Sequence, residues 1–178
     1  NPKNWLILRK REDGAAPPRE RRRYRPTLAT LAADVPRGGE WLHEVKWDGY
    51  RAIADVRGAE TTLTSRNDND LTGRFESVAK EISKAVKTPD CVLDGEVCAL
   101  DEHGRATFAA MQQGKDGTRY VYVVFDLLEV DGQPVVDLPL TERRERLMEL
   151  LDRRNKTVQF SESFEDGETA ALMNERFV

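Results

Sequence analysis

The 178-residue chain has only two histidines and two cysteines, and no Cys-x-x-Cys pair. That scarcity excludes a zinc site built on Cys and His ligands. Cys91 and Cys98 lie in what reads as one strand, on opposite faces and about 23 Å apart at strand rise. They cannot pair with each other, and two isolated thiols fit a reducing compartment. No apolar run approaches the roughly 18 residues of a membrane span. A cytoplasmic protein without a membrane partner is the expectation. What the chain has in quantity is charge: 34% of its residues are charged and 39% hydrophobic, the balance of one globular domain with a heavily charged surface.

The net charge of −4 conceals an asymmetry, since residues 1–25 carry nine Lys/Arg against three Asp/Glu, and the remainder is therefore at −10. Within that stretch, P-P-R-E-R-R-R-Y-R (17–25) has the composition of a basic linker. It reads either as a solvated tether or as a contact to a phosphate backbone. Acidity elsewhere does not exclude nucleic acid, because charge acts locally.

Trp5 to Arg9 reads as a strand with no partner nearby in sequence, and residues 27–36 suit a short helix or buried turn that stops before Pro36. Three β-rich runs follow, at 40–47, 50–57 and 61–66, joined by Asp48-Gly49 and Gly58-Ala59, and they predict an antiparallel meander. Phe75, Val78, Ala79, Ile82 and Val86 recur at helical spacing, predicting a helix over 73–86 that covers a sheet. Residues 91–100 alternate, with Leu93, Gly95, Val97 and Ala99 on one face and Asp94 and Glu96 on the other. Residues 119–132 are too apolar to alternate and are expected to be buried on both sides. A helix from Thr141 to about Leu151, turning Leu147, Leu150 and Leu151 inward, a strand over 157–164 and a final helical segment complete an α+β fold with mainly antiparallel sheets flanked by helices.

Four polar islands stand on these strands: Glu44, Lys46, Asp48 and Arg51; Ser65, Arg66 and Asn67; Asp94 and Glu96; Phe125 and Asp126. A carboxylate inside V-V-F-D-L-L is costly unless something pairs with it. Asp126 is thus the least surface-like acid of the chain. A neighbouring strand or an arginine would satisfy it without any functional role.

K-x-D-G-x-R at 46–51, S-R-N at 65–67, L-D-G-E at 93–96 and V-F-D-L-L at 124–128, in this order and at these separations, resemble the adenylation domain of ATP-dependent DNA ligases. The likeness is closest to the bacterial end-joining subfamily, ligase D. K-x-D-G alone arises by chance at roughly a few per cent in a chain of this length, so the weight rests on four motifs in register. The resemblance implies the nucleotidyltransferase (ATP-grasp-like adenylation) fold in incomplete form. It also implies an organisation in which residues 1–12 end an upstream phosphoesterase-like domain, 13–25 are a basic linker and 26–178 are a partial adenylation domain.

By the same resemblance Lys46 is the nucleophile that forms a covalent lysine–AMP, and a neighbouring cation such as Arg51 or a bound metal would favour its neutral amine. Glu44 would accept a hydrogen bond from the adenine amino group, with Val45 beside it at the nucleotide. Arg51 and Glu96 would hold the ribose and its surroundings, Phe125 would stack on the purine, and Arg66 would meet a DNA 5′-phosphate. Gly49 would let the backbone approach the nucleotide, while Asp48, Asp94 and Asp126 would support strand ends and Lys46. ATP and Mg²⁺ or Mn²⁺ are the implied cofactors, with Glu96 the one protein ligand the motifs name. Nicked or broken duplex DNA is the implied partner, OB-fold and phosphoesterase domains the implied neighbours, and the bacterial nucleoid the implied surroundings.

The family's E-G-x-V and K-x-K motifs do not occur after residue 161 of this sequence. Slow self-adenylation without nick sealing is the expectation on that ground. Two alternatives remain from the residues: an RNA-ligase or capping-type nucleotidyltransferase, and a catalytically incomplete nucleic-acid-binding fragment.

Overall fold

The computed structural model describes residues 22–27, 41–113, 118–165 and, in the tail, 169, 172, 173, 175 and 176. Its elements are β1 (His43–Glu44), β2 (Tyr50–Arg57), β3 (Glu60–Ser65), α1 (Glu76–Ala85), β4 (Asp90–Leu100), α2 (Phe108–Gln113), β5 (Arg119–Val130), β6 (Gln133–Pro134), α3 (Leu140–Leu150), β7 (Val158–Phe160) and β8 (Ser163–Phe164). Six strands form one sheet in the order β3-β2-β4-β5-β6, with β7 also on β5; β1 and β8 form a separate two-stranded sheet. All pairings are antiparallel except β7 on β5. The expected α+β class with mainly antiparallel sheet is what the chain adopts. No described helix is long and apolar enough to cross a membrane.

One face of the large sheet carries the core. Ala52, Ala54 and Val56 of β2, Leu63 of β3, Leu93, Val97 and Ala99 of β4, and Tyr122, Val124 and Leu127 of β5 pack with Phe75, Val78, Ala79 and Ile82 around α1. The helical stripe read from the sequence is thus the stripe that covers the sheet. Leu147 and Leu151 join the same cluster and Leu150 packs against it. Cys91 lies in this core and Cys98 in a smaller cluster on the other face, both as free thiols.

The register of β5 explains why it does not alternate. Asp94 of β4 faces Asp126, but Gly95 faces Val124; likewise Val92 faces Glu129 while Leu93 faces Leu127. Phe125 and Leu128 are therefore extra residues, two β-bulges in one strand. Each bulge resets the alternation and re-aims a side chain.

Three expectations are corrected. Residues 40–47 do not extend the meander: only His43–Glu44 is a strand, and it pairs with β8 rather than β2. Asp48-Gly49 is consequently no hairpin turn but part of a crossing from the small sheet into the large one. Second, 157–164 is not one strand, because after Phe160 the chain leaves β5 and pairs as β8 with β1. Third, α2 lies where no element was expected. The reading of Trp5–Arg9 as a strand and of 27–36 as a helix or buried turn falls outside the described residues, apart from Thr27. The described residues of the tail are helical.

Candidate functional site

The second face of the large sheet is apolar at two ends and polar between them. Ile53, Val92 and Leu128 form one small cluster with Tyr24, and Cys98, Ala106, Val121 and Val123 form the other with Trp47. Along β4 the residues on this face run Val92, Asp94, Glu96, Cys98, so the two acids of L-D-G-E fall in the gap. Arg51 faces Glu96 across the β2–β4 ladder, and the Phe125 bulge brings its ring to the same place.

Three arginine–carboxylate pairs build the floor. Arg51 holds Asp94 through two hydrogen bonds of 2.6 and 2.8 Å, while its guanidinium lies 4.3 Å from the centre of the Phe125 ring. Asp126 is held the same way by Arg143 of α3, at 2.8 and 2.9 Å. The cost of a carboxylate in an apolar strand is thus offset by a partner that the sequence does not place beside it. The third pair joins Glu44 to Arg144 of α3.

Arg144 is buried, with 5% of its surface exposed. Besides Glu44 it donates to the Phe125 carbonyl at 2.9 Å and to the Ser161 carbonyl, and it stacks 4.6 Å from the Phe160 ring. Ser161, wholly buried, also accepts from the Trp47 indole at 3.0 Å. One guanidinium therefore ties the strand before Lys46 to the bulge of β5 and to the point where the chain passes from β7 to β8. Sequence reasoning missed Arg144, because R-R-E-R on an amphipathic helix looks like a solvated face. The only available signal was its position three residues before the inward Leu147.

Burial raises the pKa of Glu44, and Arg144 only partly opposes it. Asp94 is also raised, by burial first and against the pull of Arg51. Burial favours a neutral Arg51, yet the hydrogen bonds and charge of Asp94 outweigh this and hold it above its ordinary value.

Glu96 differs from its neighbours. Among the described residues it makes no ion pair, and burial pushes its pKa from 4.5 to about 7, with Arg51 and then Lys46 pulling it down and Asp94 and Asp48 pushing it up. Between these two values the folded chain keeps a proton that the unfolded chain has released, so stability falls as pH rises through that window. Glu96→Gln is neutral at every pH. In metal-free buffer its melting temperature should therefore gain on the parent by several degrees between about pH 5 and about pH 8. An offset that does not change with pH would refute this account of Glu96.

The remaining residues named by the motifs are placed as follows. Lys46 is exposed, close enough to Glu96 to act on its titration. Val45 is buried, and its carbonyl accepts from the Trp47 N–H at 3.1 Å, bending the chain around Lys46. Asp48 accepts from the Phe108 N–H at 3.0 Å, a strut to the start of α2. Arg66 is exposed on the turn after β3 and takes no part in the contacts between these pairs. At Gly49 a Cβ would stand 2.2 Å from the Val97 carbonyl oxygen, so β4 requires a close approach there. Gly95 is pressed equally hard, with the Val123 carbonyl at 2.6 Å and the Tyr122 ring at 2.7 Å from such a Cβ. The buried Tyr122 hydroxyl donates to the Ala52 carbonyl at 2.8 Å.

Residues 26–175 match the family model described as ATP dependent DNA ligase domain. The multifunctional non-homologous end joining protein LigD of Pseudomonas aeruginosa is 38% identical over 134 residues, which are 74% of this chain and 16% of that protein. Its namesake in Mycolicibacterium smegmatis is 34% identical over 151 residues, 84% of this chain and 19% of that protein. The chain thus spans less than a fifth of the length of these curated relatives. Among solved structures, the ligase domain of Mycobacterium tuberculosis LigD superposes with a TM-score of 0.64 at 29% identity, covering 78% of this chain and 46% of that one. A mycobacterial DNA ligase D complexed with ATP and MES gives 0.64 at 27% identity, covering 78% and 45%. With three of the four motifs meeting on one sheet face and a family match over most of its length, this chain belongs to the ATP-dependent DNA ligase domain family.

Proposed function

We propose that this chain is the nucleotide-loading part of an ATP-dependent DNA ligase of the end-joining type, acting in DNA repair. The observation that carries the reading is the convergence of Arg51, Asp94, Glu96 and the Phe125 ring in one polar window, with Lys46 at its edge. Lys46 Nζ attacks the α-phosphorus of ATP. A P–N bond forms, the bond to the bridging oxygen breaks, pyrophosphate leaves and the amine gives up its proton. AMP then passes to a DNA 5′-phosphate, and a 3′-hydroxyl displaces it to close the strand.

The adenine would lie on the face of Phe125 that Arg51 leaves open. Glu44, held by Arg144, would accept from its exocyclic amine, a donor that guanine lacks at that position. The exposed Arg66 suits a DNA 5′-phosphate, whose charge a forked guanidinium matches.

No group of three or more His, Cys, Asp or Glu side chains converges among the described residues. A half-buried carboxylate that makes no ion pair among the described residues does fit Mg²⁺ or Mn²⁺, ions that share one or two carboxylates with substrate phosphates. Glu96 would hold that ion, which would neutralise charge on the triphosphate.

The DNA-ligase relatives favour this reading over a capping-type enzyme. Incubation with ATP and Mg²⁺, followed by mass spectrometry, should find one AMP on Lys46; GTP should give none. Equal labelling by both nucleotides, or AMP on another residue, would overturn the assignment.

A further inference from the structure

The basic run before the domain is not wholly a tether. Residues 22–27 have no regular secondary structure, yet Tyr24 is half-buried against Ile53, Val92 and Leu128 on the sheet face that carries the polar window. Its hydroxyl donates to Glu129 at 2.7 Å. Glu129 is in turn held by Arg57, which also pairs with Asp55 and Asp90. A single guanidinium thus ties three carboxylates together, and the sheet beneath the tyrosine stays net negative. One residue further on, Arg25 bonds Asp68 in the turn that carries Arg66, at 3.2 Å, with 79% of its side chain still exposed. Arg22 and Arg23 are exposed as well.

A tether needs no aromatic anchor. An aromatic inserted in a run of arginines and seated in an apolar cluster fixes where those arginines lie. We infer that residues 22–25 form a cationic rail, latched to the sheet by Tyr24, that takes the phosphate backbone of duplex DNA. The inference rests on the reading of DNA as the substrate. It adds where the duplex is gripped. Cations ordered during folding need not be ordered again on binding, so the latch raises affinity while the arginines supply the counterion release.

The test is a titration of nicked duplex DNA at several salt concentrations, on the full chain and two variants. Arg22→Gln/Arg23→Gln removes two exposed charges, of which Arg22 also hydrogen-bonds the Tyr24 side chain. Its slope of log affinity against log salt should be shallower than the parent's by about two. Tyr24→Ala keeps every arginine and should hold the parent slope while binding several-fold more weakly. An unchanged slope in the first variant overturns the rail, and parent-like affinity in the second overturns the latch. Failure of the parent to bind duplex at low salt, or preference for polyglutamate over DNA, overturns the inference as well. AMP labelling of Lys46 in the same preparations reads the nucleotide site separately, so loss of DNA binding with labelling intact rejects the rail and leaves nucleotide loading standing.

Discussion

Lys46→Ala should carry no covalent AMP at any ATP concentration, while melting within about 1 °C of the parent, as substitutions at exposed positions ordinarily do. The side chain is exposed and lies beside Glu96, so its removal leaves no cavity. Among the described residues no other lysine stands at the rim of the polar window. The amine is the group that becomes bonded to phosphorus, and without it there is no step to slow. Lys46→Arg should be equally dead, since a guanidinium keeps the charge but is not nucleophilic at neutral pH. Persistence of an adduct in either variant would move the nucleophile elsewhere and undo the proposed chemistry.

Arg144→Met should be the most destabilising single change among the charged residues of the site. It strips the Phe125 and Ser161 carbonyls of a donor and leaves Glu44 without its partner. Breaking a buried pair from one side costs about 3–5 kcal/mol. Glu44 keeps 31% of its side chain exposed, which argues for the lower end, a loss of roughly 6–12 °C in melting temperature for a domain of this size. Adding Glu44→Gln should recover part of the loss, because part of it is the unpaired carboxylate. Calorimetry of the two variants decides: a single variant that melts with the parent, or a double variant worse than additive, would show that the pair does not hold these segments together.

How much of this was legible depends on the range of the interactions. The stripe of α1 and the alternation of β4 follow from local periodicity, and both were read correctly, including the opposed faces of Cys91 and Cys98. The motifs placed Arg51, Asp94, Glu96 and Phe125 together because each stands on a central strand whose neighbours are fixed by the ladder. What failed were the distant pairings that neither a motif nor a local period marks. Residues 40–47 look like the first strand of a meander, but Glu44 finds Ser163, and no local rule can prefer a partner so far along the chain. Phe160 and Ser163 are neighbours in one apparent strand, yet the chain changes sheets at Ser161, where two side chains from elsewhere fasten it. Arg144 was hidden for the same reason, since its burial comes from segments on either side of α3. Gly49 was recognised as a glycine that must be one, and the close approach the structure shows there is to Val97.

The bulges of β5 bear on how the site can vary. Val124 and Asp126 are consecutive rungs of the ladder to β4, facing Gly95 and Asp94, and Phe125 stands between them without a rung of its own. The aromatic is thus an insertion into a pairing that is continuous around it. A different side chain at 125 would change what can rest on that surface and leave the partner strand where it is. Its neighbour has no such freedom, since the Asp126 carboxylate is committed to Arg143. A site built in this way can exchange its base-stacking group as a detachable part, while the acids and arginines around it are tied to the frame.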